Sequence, residues 1–299
     1  MDRIYAVIVT YNAMPWIDRC IASLFASGYP VSPIVVDNNS QDGTVSYLRD
    51  IYPEVILFPE GVNHGFGQAN NIGIRYALAN GADYVLLLNQ DAWIAPDMLE
   101  TLLPFDDGKT ILSPVHTNGK ATALDHFFRQ NSVERSGYAG LLDDDALLHH
   151  AQGLHPASEI PAACWLIPRH IIECIGGFSP LFFHYSEDLN YQQRLRFHGA
   201  RIAWVGGTIV CHDRENRGRQ PVRYHLVLQE LILRVTNINV SLMGGWLTQW
   251  RYALGVLHAA FLYSEPVAVW YLFKACLHLP WRRIVQSRKK EKQKGPTWL

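Results

Sequence analysis

The strongest candidate for chemistry is a carboxylate that follows a buried strand. Asn89, Gln90 and Asp91 come directly after the apolar run YVLLL at 84–88. In that position the Asp91 carboxylate could hold a divalent cation against a diphosphate, and hard oxygen ligands suit Mg²⁺ or Mn²⁺. Such a cation neutralises charge as a nucleotide leaves. A capping turn explains the tripeptide equally well, because Asp is a common helix cap.

A second candidate is the pair of acids in Ser186-Glu187-Asp188, which precedes a predicted helix over 187–197. Ser186 is predicted to be the N-cap, and the positive end of the helix favours ionised acids in its first turn. An ionised carboxylate at a cleft can accept a proton from an attacking hydroxyl. Acids in a first turn are also ordinary helix design, so this motif alone does not establish a site.

A third candidate is His212, at the end of the predicted strand RIAWVGGTIVC. A neutral imidazole can share a metal with a carboxylate, and it suits manganese better than calcium. The polar loop that follows contains Arg214, Arg217, Gly218 and Arg219. Arginine matches phosphate geometry, so this loop could fold over a diphosphate. The alternative is a structural histidine followed by a solvated charged loop.

Two further clusters contain polar residues. Asn63-His64-Gly65-Phe66-Gly67 is followed by Asn70 and Asn71 in a helix predicted over 68–80. Asparagine is a poor interior helix former, so these side chains are expected to face something polar, and glycine lets backbone approach a ligand. The spacing does not match a dinucleotide fingerprint. Asp143 to Asp145 with His149 and His150 are interpreted as a solvated acidic loop.

Short apolar strands alternate with amphipathic helices in the first 90 residues. Strands are predicted at 4–10, 33–37, 55–58 and 84–88, and a late one at 201–211, while 162–167 is a further apolar run. Helices are predicted at 44–51, 68–80 and 187–197, and apolar residues between 17 and 25 form the face of another helix with Pro15 in its first turn. This alternation is typical of an α/β fold with a mostly parallel sheet flanked by helices. From 111 to 153 the pattern weakens into a mixed polar stretch.

Ligands of such sheets bind beyond the carboxyl ends of the strands. The polar clusters at three strand ends are Thr10-Tyr11-Asn12, Asp37-Asn38-Asn39 and Asn89-Gln90-Asp91. They are expected to share one cleft.

The composition is globular, with 48% hydrophobic residues among 299 and a net charge of −1. This charge gives no general attraction to nucleic acid. The five cysteines form no close CxxC pair, which favours reduced thiols and a cytoplasmic location. We identify no signal peptide and no uninterrupted apolar run long enough to span a membrane.

The carboxy-terminal region changes character. Helical, aromatic-rich segments such as ALGVLHAAFLY and VAVWYLF run to Trp281, and a basic tail follows. Aromatic helices with a basic flank can lie on an anionic membrane surface. They can equally form a helical subdomain packed on the catalytic core or a partner subunit. Both interpretations stay open, as does assembly into a homo-oligomer.

Taken in order, these motifs resemble the family-two glycosyltransferases of GT-A fold, and among them the bacterial rhamnosyltransferases of surface polysaccharide synthesis. The resemblance covers most of residues 4–213 through AVIVTYNAMPWIDRCIASL, PIVVDNNSQDGT, NHGFGQANNIGI, YVLLLNQDAWI, IGGFSPLFFHYSEDLNYQQRLRFHG and CHDR. It implies three regions: a nucleotide-sugar-binding half at 1–110, an acceptor-binding and catalytic half at 111–222, and a helical extension with a basic tail at 223–299.

The resemblance also implies a role for each matching position. Asp188 would be the catalytic base with Glu187 beside it, and Asp91 and His212 would hold Mn²⁺ or Mg²⁺. Thr10, Tyr11 and Asp37 would contact the nucleobase end of the donor, and Asn89 would lie near the ribose or diphosphate. Arg194 would brace the acids or the diphosphate. The remaining nucleotide-sugar positions are Asn12, Asn39, Asn63, Gly65, Asn70, Asn71, Gln90 and Arg214.

The implied reaction is inverting transfer of a sugar, with rhamnose as the candidate, from a nucleotide-diphosphate donor of dTDP or UDP type. The implied acceptor is a glycan or lipid-linked saccharide, and peripheral contact with the cytoplasmic face of the inner membrane would suit it. Two other functions fit a nucleotide-binding α/β sheet: a nucleotidyltransferase and a non-catalytic nucleotide-sugar-binding protein. The first strand is followed by TYNAMP rather than the Gly-rich, Arg-containing loop expected of a nucleotidyltransferase.

Overall fold

The structure is a computed structural model that describes residues 1–138, 151–214, 223–263 and 266–299. Within these ranges nine strands form one sheet, in the order β3-β2-β1-β4-β8-β6-β9-β5, and β7 pairs with β9. The strands are β1 Ile4–Thr10, β2 Val31–Asp37, β3 Ile56–Pro59, β4 Tyr84–Asn89, β5 Ala92–Ile94, β6 Thr110–Asn118, β7 Gly153–Pro156, β8 Cys164–Pro168 and β9 Arg201–His212. Strands β1 to β4, β6 and β9 share one direction, while β5, β7 and β8 run against them.

Helices cover both faces of this sheet and extend beyond it. They are α1 Ile17–Phe25, α2 Thr44–Ile51, α3 Gly65–Ala79, α4 Met98–Leu102, α5 His126–Phe128, α6 Arg169–Ile175, α7 Glu187–Phe197, α8 Tyr224–Thr236, α9 Leu242–Tyr263, α10 Pro266–Leu277 and α11 Trp281–Glu291. A π-helical segment, Arg129–Tyr138, continues from α5. The predicted α/β arrangement with a helical carboxy-terminal extension is confirmed.

The amino-terminal strands form because their β-branched residues are buried on both faces of the sheet. Val7, Ile34 and Val36 pack into one hydrophobic layer, and Ile8 and Val35 pack into the layer on the opposite face. Continuous apolar runs are typical of strands covered by helices on both sides. The polar residues that end β1, β2 and β4 therefore reach the same edge of the sheet.

Strand β6 occupies the stretch where the sequence pattern is weak, so it was not predicted. Thr110, Ser113, His116 and Thr117 are all buried in it, and these polar side chains interrupt the apolar pattern. Strand β6 runs parallel to β9, and their register shifts at Pro114 and Val115. Ser113 and Thr117 donate to carbonyls of the neighbouring strands β8 and β9, so periodicity alone does not reveal the strand.

The carboxy-terminal helices have a hydrophobic core of their own. Leu231 and Val235 of α8 pack there with Leu272 of α10 and Ile284 of α11. Phe182, from the loop before α7, is buried in the same core and joins the helical region to the sheet. None of the described helices is long and apolar enough to cross a membrane. The functional division at residues 110 and 222 stays a prediction.

Several motifs from the sequence lie outside the described residues. They are Asp143, Asp144, Asp145, His149, His150, Arg217, Gly218 and Arg219.

Candidate active site

A cleft of about 530 Å³ opens at the carboxyl ends of β1 and β4. Its lining residues are Val9, Tyr11, Asn12, Trp16, Asn38, Asn63, Gly65, Phe66, Asn89, Gln90, Asp91, Phe183, His184, Tyr185 and Arg214. The expected convergence of strand-end residues is thus present at this edge. A second cleft of about 570 Å³, beside Lys109 and His170, lies at the amino ends of the parallel strands.

Asp91 and His212 meet at the back of the first cleft. Strand β5 pairs antiparallel with β9 so that Ala92 lies opposite His212, which brings the preceding Asp91 alongside the imidazole. Asp91 Oδ1 lies 3.3 Å from His212 Nε2, and both side chains are buried. Two residues separated by 121 positions in the sequence therefore present one oxygen and one nitrogen to the same point.

This pair fits a hard divalent cation. Two ligands of one octahedral ion at about 2.1 Å lie about 3 Å apart, close to the observed spacing. Asn89 adds a buried Oδ1 with no hydrogen-bond partner, while its Nδ2 lies 3.3 Å from His212 Nε2. Among the described residues no group of three His, Cys, Asp or Glu side chains could hold a metal. The remaining ligands of a cation would therefore come from the donor diphosphate and water.

Asp125 supports His212 from behind and was missed in the sequence. Its Oδ2 lies 3.5 Å from His212 Nδ1, on the ring edge away from Asp91. Burial opposes ionisation of Asp125, but His212 and the Phe128 N–H hold the pKa of this carboxyl well below its usual range. A carboxylate behind a metal-binding histidine fixes the ring orientation and raises its basicity. The one sequence signal was Asp125-His126-Phe127-Phe128, an N-cap motif in the weakly patterned stretch.

His212 is surrounded by charge. Burial lowers the pKa of His212, but Asp125 and Asp91 outweigh this effect and leave the pKa raised. Arg214 Nε donates to His212 Nε2 at 3.2 Å, and its guanidinium lies over the Phe127 ring at 5.2 Å. Arg214 thus places a permanent positive charge at the wall of the cleft, beside the proposed cation ligands.

Asp188 lies in the first turn of α7, directly after the loop that lines the cleft. Burial raises the pKa of Asp188, although the backbone amides of Leu189 and Ala162 and the charge of Arg214 act in the opposite direction. Leu189 N–H donates to Asp188 Oδ1 at 2.8 Å. A carboxylate with a raised pKa is better matched to proton transfer near neutral pH.

Glu187 lies deeper than Asp188. It is buried, and its Oε2 has no hydrogen-bond partner. Burial, followed by the charge of Asp188, raises the pKa of Glu187. The two acids therefore differ in environment: the amides of Leu189 and Ala162 favour ionised Asp188, whereas Glu187 has only its own backbone amide acting in this direction.

The turn before α7 has left-handed backbone at two consecutive residues, Tyr185 with φ of 71° and Ser186 with φ of 68°. Such conformations cost about 1–3 kcal/mol each in residues other than glycine and cluster at functional sites. Ser186 takes the predicted N-cap position, but its side chain makes no capping hydrogen bond because the left-handed backbone turns it away. The predicted capping role of the Ser186 side chain is therefore wrong.

Thr10 and Asp37 lie beneath the cleft rather than in its wall. Thr10 Oγ1 donates to Asp37 Oδ1 at 2.7 Å, and Ser40 N–H donates to Asp37 Oδ2 at 2.8 Å. Both carboxylate oxygens are thus engaged, and both side chains are buried. Asn39 is exposed on the turn above, with a left-handed φ of 66°. Asp37 holds this turn in place at the end of β2.

Gln90 joins the ends of β1 and β4. It accepts a hydrogen bond from Tyr11 N–H at 2.7 Å and donates to the Tyr11 carbonyl at 3.3 Å. Asn12 Oδ1 accepts from Gln41 N–H at 2.8 Å, and Asn63 Oδ1 accepts from Gly65 N–H at 2.8 Å. These amides fix the loops that form the nucleotide side of the cleft.

Three predicted positions face the protein interior instead of the cleft. Asn70 donates to the Phe66 carbonyl of its own helix at 3.0 Å. Asn71 accepts from Phe178 N–H at 2.7 Å and donates to its carbonyl at 2.9 Å. Arg194 is fully buried, and its guanidinium donates to the carbonyls of Ile175 and Gly177. Asn71 and Arg194 thus satisfy backbone groups near the loop after α6, while Asn70 bonds only within α3.

Sequence reasoning missed most of the aromatic lining. Trp16, Phe66, Phe183 and Tyr185 surround the cleft together with the predicted Tyr11. Trp16 Nε1 donates to Asp213 Oδ2 at 3.0 Å. Flat aromatic faces of this kind can stack on a nucleobase. Trp16 and Phe183 stand within the quoted motifs, but each could equally have been an apolar core residue.

Gly65 is the contact point between α3 and the loop before α7. It has a left-handed φ of 76°, and a Cβ there would lie 1.9 Å from the Phe183 carbonyl oxygen. Phe66 N–H donates to that same oxygen at 3.2 Å. Only glycine allows the aromatic loop to approach this closely.

Comparison with known sequences matches residues 5–111 to the model of glycosyl transferase family 2. An N-acetylglucosaminyl-diphospho-decaprenol L-rhamnosyltransferase of Mycobacterium tuberculosis is 28% identical over 246 residues, covering 75% of this chain and 80% of that protein. The dTDP-rhamnosyl transferase RfbF of Shigella flexneri is 28% identical over 192 residues, covering 62% of this chain and 61% of that protein.

Solved structures share the fold at low identity. A mannosyltransferase from Pyrobaculum calidifontis, in complex with GDP-Man and Mn²⁺, has a TM-score of 0.59 and 19% identity over 95% of this chain and 78% of that chain. Residues 1–349 of TarS from S. aureus, in complex with UDP-GlcNAc, have a TM-score of 0.55 and 14% identity over 97% and 88% of the two chains. The predicted fold class and resemblance are confirmed: the chain has the GT-A fold, its residues 5–111 match glycosyl transferase family 2, and it resembles rhamnosyltransferases.

Proposed function

We propose that this glycosyltransferase moves a sugar, with rhamnose as the candidate, from a dTDP or UDP sugar to a hydroxyl of a glycan or lipid-linked acceptor, in polysaccharide or glycolipid assembly. The single observation that carries the mechanism is the Asp91–His212 pair, 3.3 Å apart in a cleft whose rim leads into the Asp188 turn. The dTDP donor is suggested by the Shigella flexneri relative, a dTDP-rhamnosyl transferase, and the UDP donor by the TarS complex with UDP-GlcNAc.

The reaction needs one base. Asp188 would accept the proton of the acceptor hydroxyl as its oxygen bonds to the anomeric carbon. The bond from that carbon to the donor diphosphate breaks, and the nucleoside diphosphate leaves with the electron pair, giving inversion. A glycosidase needs a second carboxylate to protonate its leaving group. Here the leaving group is already an anion, so Glu187 is not required as an acid.

Asp91 and His212 would hold Mn²⁺ or Mg²⁺, which would neutralise charge on the departing diphosphate. Arg214, whose Nε lies 3.2 Å from His212 Nε2, places a further positive charge beside this site. Tyr11, Trp16 and Tyr185 would enclose the nucleobase of the donor and exclude water from it. Asn89, with its unpartnered Oδ1, would face the ribose or the diphosphate.

The first test is a thermal-shift panel of dTDP, UDP and GDP with and without Mn²⁺. A ligand that binds only the folded state raises its stability, by about 2.7 kcal/mol at one hundred times its Kd. We expect dTDP or UDP to stabilise the wild type more with Mn²⁺, and His212→Ala to remove the Mn²⁺ increment. Equal shifts with and without Mn²⁺ would contradict a metal role for Asp91 and His212.

Transfer is then tested with the sugar nucleotide that gives the largest shift. An alkyl diphosphate that carries N-acetylglucosamine is the first acceptor, following the named relative. A glycosylated product with inverted anomeric configuration supports the proposal. Pyrophosphate release from a nucleoside triphosphate would instead indicate nucleotidyl transfer, and donor binding without product across an acceptor screen would indicate a non-catalytic binding protein.

A further inference from the structure

Helices α9 and α10 expose an apolar surface that the rest of the described chain does not cover. It consists of Met243, Leu247, Trp250, Leu254 and Leu257 of α9 and Val267, Trp270, Phe273 and Leu277 of α10. The α9 residues recur every three or four positions, so they form a single stripe along the helix. Leu254, Trp270 and Leu277 are 62%, 59% and 69% exposed.

This apolar surface is separate from the core of the helical region. On α9 the opposite face is the one that packs, since Ala253 is buried and a Cβ on Gly245 would lie 2.9 Å from the Arg234 carbonyl of α8. On α10 the packed side chains are Leu272 and Ala275. Both helices are therefore apolar on two faces, and folding buries only one of them. Contiguous exposed patches of this kind mark interaction sites.

Positive charge is concentrated in the carboxy-terminal region that carries the apolar surface. Residues 237–299 hold nine of the 26 Lys and Arg residues of the chain but two of its 27 Asp and Glu residues. Of these two acids, Glu291 is buried. Arg251, Lys274, Arg282 and Lys289 are exposed on or next to the helices that carry the surface. The chain as a whole is nearly neutral, so the charges are segregated by region.

We propose that the apolar surface and the adjacent cations form a docking surface for an anionic lipid bilayer, on which the protein lies without crossing. Tryptophan and leucine side chains enter the interface, long basic side chains reach the headgroups, and each nearby cation strengthens binding about fivefold. A second copy of the chain fits less well, because a two-fold contact would place the same cationic patch against itself.

The helices of the carboxy-terminal region also contact elements that flank the candidate active site. Thr248 of α9 lines a groove of about 390 Å³ together with Leu189, the residue that follows Asp188. Arg283 of α11 donates to the Pro180 carbonyl at 3.1 Å, in the loop that continues into the cleft wall. A saccharide attached to a membrane lipid would thus meet Asp188 at the junction of the two regions. This part rests on the proposed sugar transfer, whereas bilayer binding does not.

Flotation of the full chain with vesicles tests the docking surface. We expect the wild type to float with vesicles of phosphatidylcholine and 30% phosphatidylglycerol, and much less with phosphatidylcholine alone. Trp250→Glu with Phe273→Glu should reduce binding at least tenfold. Ile51→Glu with Val62→Glu is the matched control, because these four side chains are 53%, 57%, 54% and 57% exposed and each pair adds two negative charges.

Charge is tested separately. Arg282→Gln, Lys289→Gln and Lys292→Gln together should lower binding to the anionic vesicles at least tenfold while leaving the weak binding to neutral vesicles unchanged. High salt should act in the same direction. Should the first pair of variants fail to fold, Leu254→Glu with Leu277→Glu replaces it.

Several results would overturn the proposal. Equal flotation of the wild type, the surface variants and the control would do so, as would a wild type that does not float with anionic vesicles. Conversion of a dimer to a monomer by Trp250→Glu and Phe273→Glu, without loss of flotation, would assign the surface to a second copy. Nucleotide binding is measured on the same variants by thermal shift, so failure of the proposed reaction remains distinguishable from failure of docking.

Discussion

Replacement of Asp125 by Asn tests whether this residue orients His212 toward the cation. Asp125 contributes two contacts: Oδ2 lies 3.5 Å from His212 Nδ1, and Oδ1 accepts the Phe128 N–H at 3.0 Å. Asparagine is as good an N-cap as aspartate, so the capping bond can survive. The substitution therefore removes the negative charge behind the imidazole while the local fold is kept.

The size of the effect follows from the contact. The contact is longer than a regular hydrogen bond, so neutralising the carboxylate should cost about 1.4 kcal/mol, just under the lower value of about 1.5 kcal/mol for hydrogen bonds to charged groups. Since 1.4 kcal/mol is a factor of ten, Mn²⁺ affinity should fall about tenfold. This lies at the lower end of the 10- to 100-fold range measured for such carboxylates, as expected for a contact as long as 3.5 Å.

Mn²⁺ affinity is measured by titration calorimetry or by the signal of free Mn²⁺ in electron paramagnetic resonance, with nucleoside diphosphate present. Asp106→Asn is the matched control, because Asp106 accepts from Tyr84 at 2.7 Å and from Gly108 N–H at 2.8 Å at the other end of the sheet. Unchanged Mn²⁺ affinity in Asp125→Asn, or an equal loss in Asp106→Asn, would refute the orienting role.

Three further predictions concern stability and the shape of the cleft. Because burial raises the pKa of Glu187, its stabilising contribution is complete below the ordinary pKa of glutamate and is lost as pH rises through the raised value. Glu187→Gln should therefore raise the Tm relative to wild type increasingly from pH 5 to pH 8, and a constant difference would contradict this assignment. Asn71→Ala leaves the buried Phe178 N–H without its partner and should lower the free energy of unfolding by about 2 kcal/mol in denaturant unfolding. Asn70→Ala should lower it by less than about 1 kcal/mol, because the Asn70 amide bonds only within its helix. Gly65→Ala should weaken nucleotide binding at least tenfold in a thermal-shift titration, because its Cβ would overlap the aromatic loop. Gly61→Ala should behave as wild type, because no atom lies within 4 Å of the Cβ position there. Equal nucleotide affinity of the two glycine variants would argue against this close contact.

Local pattern was sufficient for the elements that form the edge of the cleft. Strand β1, helix α2 and helix α7 have the bounds predicted from apolar periodicity and turn residues, because in them local preference and burial agree. Strand β6 was missed because buried polar residues interrupt its apolar pattern, and Ser113 and Thr117 find partners on neighbouring strands. Asp125 was missed with it, since nothing in the sequence indicates that it faces a histidine 87 positions later.

The site residues divide in a similar way. Asp91 and His212 were expected as a pair from the resemblance, and they lie together because each stands at the carboxyl end of a strand that shares this edge of the sheet. Asn71 and Arg194 were expected near the nucleotide, but they bind backbone groups of the loop after α6. A polar residue inside a helix indicates a polar partner without saying whether that partner is a ligand or the protein itself. That distinction required the structure.

The proposed mechanism depends on Asp188 as the catalytic base, next to a cation site to which Asp188 contributes no ligand. The most direct measurement is single-turnover transfer by Asp188→Asn with donor binding determined on the same sample. We expect transfer to fall about 10²- to 10⁴-fold, the usual contribution of a positioned base, while donor and Mn²⁺ affinity stay within about threefold of wild type. Near-normal transfer by Asp188→Asn would contradict the account.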